Sequence, residues 1–253
     1  MSDLPASPPS PHRRHLLIAA AGLLPIGCAT PQFVAPPPGP IPAPTVRLGQ
    51  RWRYETIDLY RGAKIGELAA EVVRAGPPSQ PGSSGDTPEG APIVVALTDA
   101  SGAAVGEERW ARPWDVIVEP AYDAVQTFTR PMPLLPDRLE AGARRSDATW
   151  YRVPQNSGRL PWRQWLRAAG WERVAVPAGE FVALRVERVI DFRHWDTWRE
   201  WPQRFDTVWY APEANRWVQR EWTGEYRWPG GRRPVVAYED RVRWRLLDWR
   251  DGG

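Results

Sequence analysis

The stretch from Trp171 to Trp222 limits the fold most. Val174 to Val176 and Phe181 to Ile190 are alternating runs rich in β-branched residues, and Pro177-Ala178-Gly179-Glu180 separates them. Proline presets φ for a turn and glycine accepts positive φ, so this reads as strand, turn, strand. Phe205 to Tyr210 and Trp217 to Trp222 repeat the pattern around Ala211-Pro212-Glu213-Ala214-Asn215. Two tandem hairpins of this kind form the middle of an antiparallel sheet. The alternation predicts one face made of Val182, Leu184, Val186 and Ile190, continued on the next hairpin by Phe205, Thr207 and Trp209. No catalytic motif sits on these runs.

The flanking chain is of the same type. Leu48–Tyr60 starts the globular part, with Trp52, Tyr54, Thr56 and Tyr60 on one face. Short strands follow at Gly66–Val73, Ile93–Thr98, Glu107–Trp110, Asp115–Glu119 and Val125–Thr129, each bounded by Gly, Pro or Asp. Pro77 to Pro92 has little to bury and reads as a surface loop. Within 139–170, Trp162, Trp165, Leu166 and Ala169 fit a helical stripe, but no capping residue precedes them, and a strand is the preferred reading. Val235–Trp249 is an alternating strand whose Leu246-Leu247 pair breaks the period and predicts a bulge. With no βαβ rhythm, the fold class is mainly β: an antiparallel, strongly curved sheet or open half-barrel, with room for one short helix.

The amino-terminal region has a different character. Arg13-Arg14 precede an apolar run from Leu16 to Ile26 that is too short to remain as a membrane span and ends at Gly27-Cys28. This reads as a signal peptide over residues 1–28, exported by the general secretory or the twin-arginine route, with Cys28 as the lipidation site. Residues 29–46 read as a proline-rich tether that could reach roughly 50 Å in extended form. Residues 47–250 form one β-rich domain. Cys28 is the one cysteine in the chain, so no disulfide staples that domain.

Several motifs resemble those of a group of uncharacterised proteobacterial envelope lipoproteins. They are the V-P-A-G-E-F turn, the W-Y-A-P-E strand pair, L-G-Q-R-W-R-Y near the start, and Y-E-D-R-V-R-W-R-L-L-D-W at the end. They are structural motifs, so the resemblance implies an envelope lipoprotein and carries over no site residues.

Chemistry is sparse. Beyond Cys28 the chain has one histidine, His194, which leaves too few ligands for a histidine- or cysteine-rich zinc site. No metal or other cofactor is expected. No nucleophile elbow or phosphate loop is present. The 33 basic residues, all arginine except Lys64, are interspersed with 30 acidic ones, so no nucleic-acid partner is expected. Carboxylate pairs for a glycosidase could be drawn from Asp191, Asp196, Glu200, Asp206 or Glu221.

The tryptophans say more. Trp195, Trp198 and Trp201 lie with Arg193 and Arg199 in an insert between two strands, so they should sit on a hairpin tip. There they could stack on a ligand, or fold back onto arginines such as Arg199 or Arg204. The resulting expectation is a non-enzymatic lipoprotein on the periplasmic side of the envelope, anchored through lipid in the outer membrane, that binds a ligand or an envelope protein. A periplasmic hydrolase acting on envelope glycan is the alternative.

Overall fold

Alternation holds along nearly every predicted run, and a computed structural model, which describes residues 32–77, 80, 87–230 and 235–252, contains fourteen strands and no helix among those residues. They are β1 (Phe33–Val34), β2 (Arg51–Asp58), β3 (Ala63–Ala75), β4 (Ile93–Asp99), β5 (Ala104–Arg112), β6 (Asp115–Glu119), β7 (Gln126–Pro133), β8 (Arg144–Val153), β9 (Asn156–Val176), β10 (Gly179–Phe192), β11 (Glu200–Ala211), β12 (Arg216–Trp228), β13 (Val235–Tyr238) and β14 (Val242–Arg250). The signal peptide, with Cys28, lies outside the described residues, as does half of the Pro77–Pro92 loop.

Eleven strands, β2 to β12, follow one another around an antiparallel ring, and β14 completes it as the twelfth by pairing with both β12 and β2. The expected curved sheet therefore curls past an open half-barrel and closes, which removes its edges. β1 lies beside β9, and β13 beside β12, off the ring.

The helical stripe in 160–170 is not helical. Leu160, Trp162, Gln164, Leu166 and Ala168 point inward along β9 while Trp165 points out, a period of two. The strand expected over Val235–Trp249 is split into β13 and β14, and Tyr238 is exposed. The predicted bulge is present, between Leu246 and Asp248.

The facing prediction for the second hairpin is reversed. Leu184, Val186 and Ile190 pair with Tyr210, Val208 and Arg204, so Phe205, Thr207 and Trp209 face outward. The reason is that the interior is polar along its axis. A ring of twelve strands encloses more width than aliphatic side chains can fill, since diameter grows with strand number. Indoles and guanidinium groups fill it instead. Trp217 lies between Arg216 and Arg220, whose guanidinium carbons are 4.1 and 5.2 Å from its ring. Tyr122, dipping in from the β6–β7 loop, lies between Arg220 at 5.6 Å and Arg204 at 4.4 Å. Phe192 covers the far side of Arg204 at 4.4 Å.

Each buried cation has an acid. Arg216 holds Glu108 through two bonds of 2.8 and 3.0 Å. Arg188 and Arg220 share Asp206 at 2.5 and 2.7 Å and Glu119 at 3.2 and 2.6 Å. Burial alone would raise the Asp206 pKa, but Arg220 and Arg188 hold it well below the usual carboxylate range. Outside, cross-strand ion pairs such as Arg243–Glu221, Arg245–Glu55 and Arg167–Glu187 cover the wall. These strands show a water-facing exterior, unlike the apolar band of a membrane-spanning barrel.

The two ends of the barrel differ. At the end holding the β9–β10 turn, Ala178 N–H reaches across to the Leu246 carbonyl at 3.0 Å, and Phe181 packs against Trp249 with ring centroids 5.2 Å apart. This end is pinched shut. The proline-rich stretch is held here from Gln32 onward and is not a free spacer. Phe33 pairs into β9 with its ring over Gly170, Ile41 and Val46 pack on the core, and Thr45 bonds Asn215. The opposite end, where β10 passes into β11, is open.

Candidate ligand groove at the open end of the barrel

Between Phe192 and Glu200 the chain leaves the wall and crosses the open end. His194 anchors the crossing. Its Nδ1 accepts the Asp196 backbone N–H at 2.9 Å, which places the proton on Nε2, and Nε2 donates to Asp123 Oδ2 at 2.9 Å. Asp123 comes from the same loop as Tyr122. Arg204 donates to Asp123 Oδ1 at 2.7 Å and to Glu239 Oε2 at 2.6 Å. Burial works to raise Asp123, yet the His194 hydrogen bond and the Arg204 and Arg199 charges hold it well below its ordinary range.

His194, Asp123 and Glu239 bring three potential metal ligands within 4.8 Å of one another. Arg204 and Arg199 together neutralise both carboxylates and the imidazole proton points at one of them, so the arrangement is a filled ion-pair cluster rather than a vacant cation site. It is also a poor general base, because both imidazole nitrogens are engaged.

Beside this cluster lies a groove of about 1190 Å³. Its floor is formed by Phe192, His194 and Trp162, and its lip by Trp150, 51% exposed, and Trp201, 77% exposed. Trp201 has φ of +51°, a left-handed conformation that a bulky residue rarely takes, and its indole projects from the wall at the start of β11. Five arginines line the groove against three carboxylates. Arg199 is tied loosely, at 3.2 Å to Asp123 and 3.4 Å to Glu239, with Tyr226 beneath its guanidinium. Arg130 donates to the Ala148 carbonyl. Arg163, Arg193 and Arg227 make no side-chain hydrogen bond or ion pair.

Three of the five residues expected at the site, Arg193, Arg199 and Trp201, meet in this groove. Trp195 instead turns down beside His194, 5.3 Å between rings, and packs on the core. Trp198 stacks on Trp228 at 5.9 Å and 24°, off the groove. Arg204 stacks on Tyr122 and Phe192, and Arg199 on Tyr226, so neither tip arginine uses an insert tryptophan. Of the carboxylates considered for hydrolysis, Asp191 and Glu200 line the groove, Asp206 is locked in the interior, and Glu221 is outside with Arg241 and Arg243. Asp196 accepts from Trp198 N–H and shapes the crossing.

Sequence reasoning missed Trp150, Asp123 and Glu239. Trp150 and Tyr151 are adjacent in an alternating run, and either could have faced inward. Asp123 sits in a loop with no periodicity to mark it. A second hollow of about 700 Å³ lies at the closed end near Pro44, Trp114 and Leu139, and its charges are satisfied by Arg112–Asp115 and Arg145–Asp137 pairs at 2.7 and 2.5 Å.

No protein family matches the chain, and no curated protein is recognisably related to it. Among solved structures, it is similar to one named a "putative lipoprotein" from Parabacteroides distasonis, at 14% identity over 81% of this chain and 97% of that one, with a TM-score of 0.47. It is also similar to a "putative exported protein with YmcC-like fold" from Bacteroides fragilis, at 13% identity over 82% of this chain and 98% of that one, with a TM-score of 0.44. Both likenesses are too distant to carry over residue roles.

Proposed function

We propose that this is a lipid-anchored protein of the bacterial envelope that binds a ligand in the rim groove without transforming it. The observation that carries the reading is the groove itself: two exposed indoles over a floor of Phe192, Trp162 and His194, beside arginines that lack partners. Indoles at a lip offer large contact area at little rotamer cost, and free guanidinium groups supply directed donors. The anchor follows from the apolar run ending at Gly27-Cys28.

Two variants test the two halves. Cys28→Ser should move the protein from the membrane fraction to the soluble one; a variant still in the membrane removes the anchor. Trp201→Ala should lose a lipid or glycan that wild type retains from detergent-solubilised envelope. Identical captured material from both would sink the groove as a binding site.

The glycan hydrolase reading keeps one supporting observation, the presence of Asp191 and Glu200 in the groove. Asp191 is engaged by Gln203 at 2.7 Å. Release of reducing ends from isolated envelope glycan by wild type, lost in Glu200→Gln, would establish it over the binding reading.

A further inference from the structure

We infer that the groove takes an acidic oligosaccharide, that is, sugar rings bearing carboxylate or phosphate groups. The inference rests on the binding reading above and names its ligand. Most arginines of the described residues are tied to a carboxylate or a carbonyl, inside the barrel and along its outer wall. Seven are not, and three of the seven, Arg163, Arg193 and Arg227, come from separate elements, β9, the β10–β11 crossing and β12, yet meet around one hollow. Arg130 approaches from β7 with one bond, to a carbonyl, so its charge is also uncompensated. Arg199 balances the Asp123–Glu239–Arg204 cluster, so the remaining four guanidinium groups against three carboxylates leave the groove an excess of one positive charge.

The apolar part of the site selects the body of the ligand. A lipid tail needs a deep apolar cavity, but the barrel axis below the groove is filled by Phe192, Arg204, Tyr122, Arg220, Trp217 and Arg216 in succession. What remains for apolar contact is flat and open, the faces of Trp150 and Trp201 at the lip. A sugar ring presents an apolar face that stacks on an indole and an edge of polar groups that meets donors. At about 1190 Å³ the groove exceeds the usual 300–1,000 Å³ of a small-ligand pocket, room for several rings rather than one.

The test compares trigalacturonate with its carboxyl-reduced counterpart, galactotriose, by titration calorimetry and indole fluorescence on the soluble Cys28→Ser chain. The acidic trimer should bind at least tenfold more tightly than the neutral one, and the ratio should shrink as salt is raised. In the Arg163→Gln/Arg193→Gln/Arg227→Gln variant, which breaks no ion pair of the fold, the ratio should fall to about one. Trp201→Ala should weaken both trimers. Equal binding of the two trimers overturns the acidic class while leaving the groove as a saccharide site. Binding of neither overturns the saccharide class, and the groove then stands or falls on the envelope capture. Displacement of trigalacturonate by equimolar inorganic phosphate, without an indole signal, would reduce the site to an anion site and also overturn the proposal.

Discussion

The Glu239 carboxylate occupies the space that a side chain on residue 224 would need, so Gly224 is what allows Glu239 to reach Arg204. The Glu239 N–H also bonds the Gly224 carbonyl at 2.8 Å, fixing the two backbones together. Gly224→Ala should push Glu239 off Arg204 and destabilise by about 1–3 kcal/mol, as overpacking does. Gly66→Ala, in a strand position with nothing within 4 Å, should cost almost nothing. Urea midpoints of the two variants check this, and equal shifts would refute the close-packing argument.

The interior carboxylates predict an acid limit. Asp206 and Asp123 have folded pKa values below their unfolded ones, so their contribution is fully present above the unfolded value, about 4. It is lost as pH falls through the range between the unfolded and folded values. Stability should therefore be level from pH 7 to about 5 and decline below 4. Asp206→Asn leaves Arg188 and Arg220 with one shared acid and should cost about 3–5 kcal/mol at pH 7, with a weaker acid dependence. Chemical denaturation from pH 3 to 7 measures both slopes.

Trp201 and Trp162 should separate in stability. Trp162 is 1% exposed and its truncation to Ala should cost about 3–5 kcal/mol. Trp201 has little packing to lose and a left-handed backbone to relieve. Trp201→Gly should be neutral or stabilising by about 1 kcal/mol, because glycine takes positive φ without steric penalty. A large loss of stability from Trp201→Gly would show that the indole belongs to the core.

Gly179, in the turn that pinches the closed end, has φ of +136°. Gly179→Val should destabilise by about 1–3 kcal/mol. Ala178→Val, one residue earlier in the same turn, should do much less as measured by thermal midpoint.

Backbone chemistry was the legible part of this sequence. The Pro177–Glu180 turn, the bulge after Leu246 and the alternation of β10 and β14 all follow from residue types that act locally. Facing was legible only where the interior is apolar. Arg204 and Arg220 look like solvent-facing residues in sequence, and their neutralising partners are remote: Glu239 and Asp123 lie 35 and 81 residues from Arg204, and Glu119 lies 101 residues from Arg220. No local pattern announces such pairs. The rim groove was half visible for the same reason: Arg193, Arg199 and Trp201 share one crossing, whereas Trp150, Arg163 and Arg227 arrive from other strands. Glycines inside the alternating runs of β9 and β12, Gly170 and Gly224, were the available signs of a close approach.

The seam between β2 and β14 sets the order in which this molecule can be made. Arg51 pairs with Arg250, so the first and last strands of the ring are neighbours although nearly the whole domain lies between them. During synthesis every earlier hairpin can form as it emerges, but the growing meander carries two open edges until the final strand arrives. The polar axis is incomplete for just as long, since Glu239, which neutralises Arg204, precedes β14 by only three residues. Closure of the wall and neutralisation of its interior are thus a single late event, and the interval before it is when the chain is most exposed to pairing with another copy of itself.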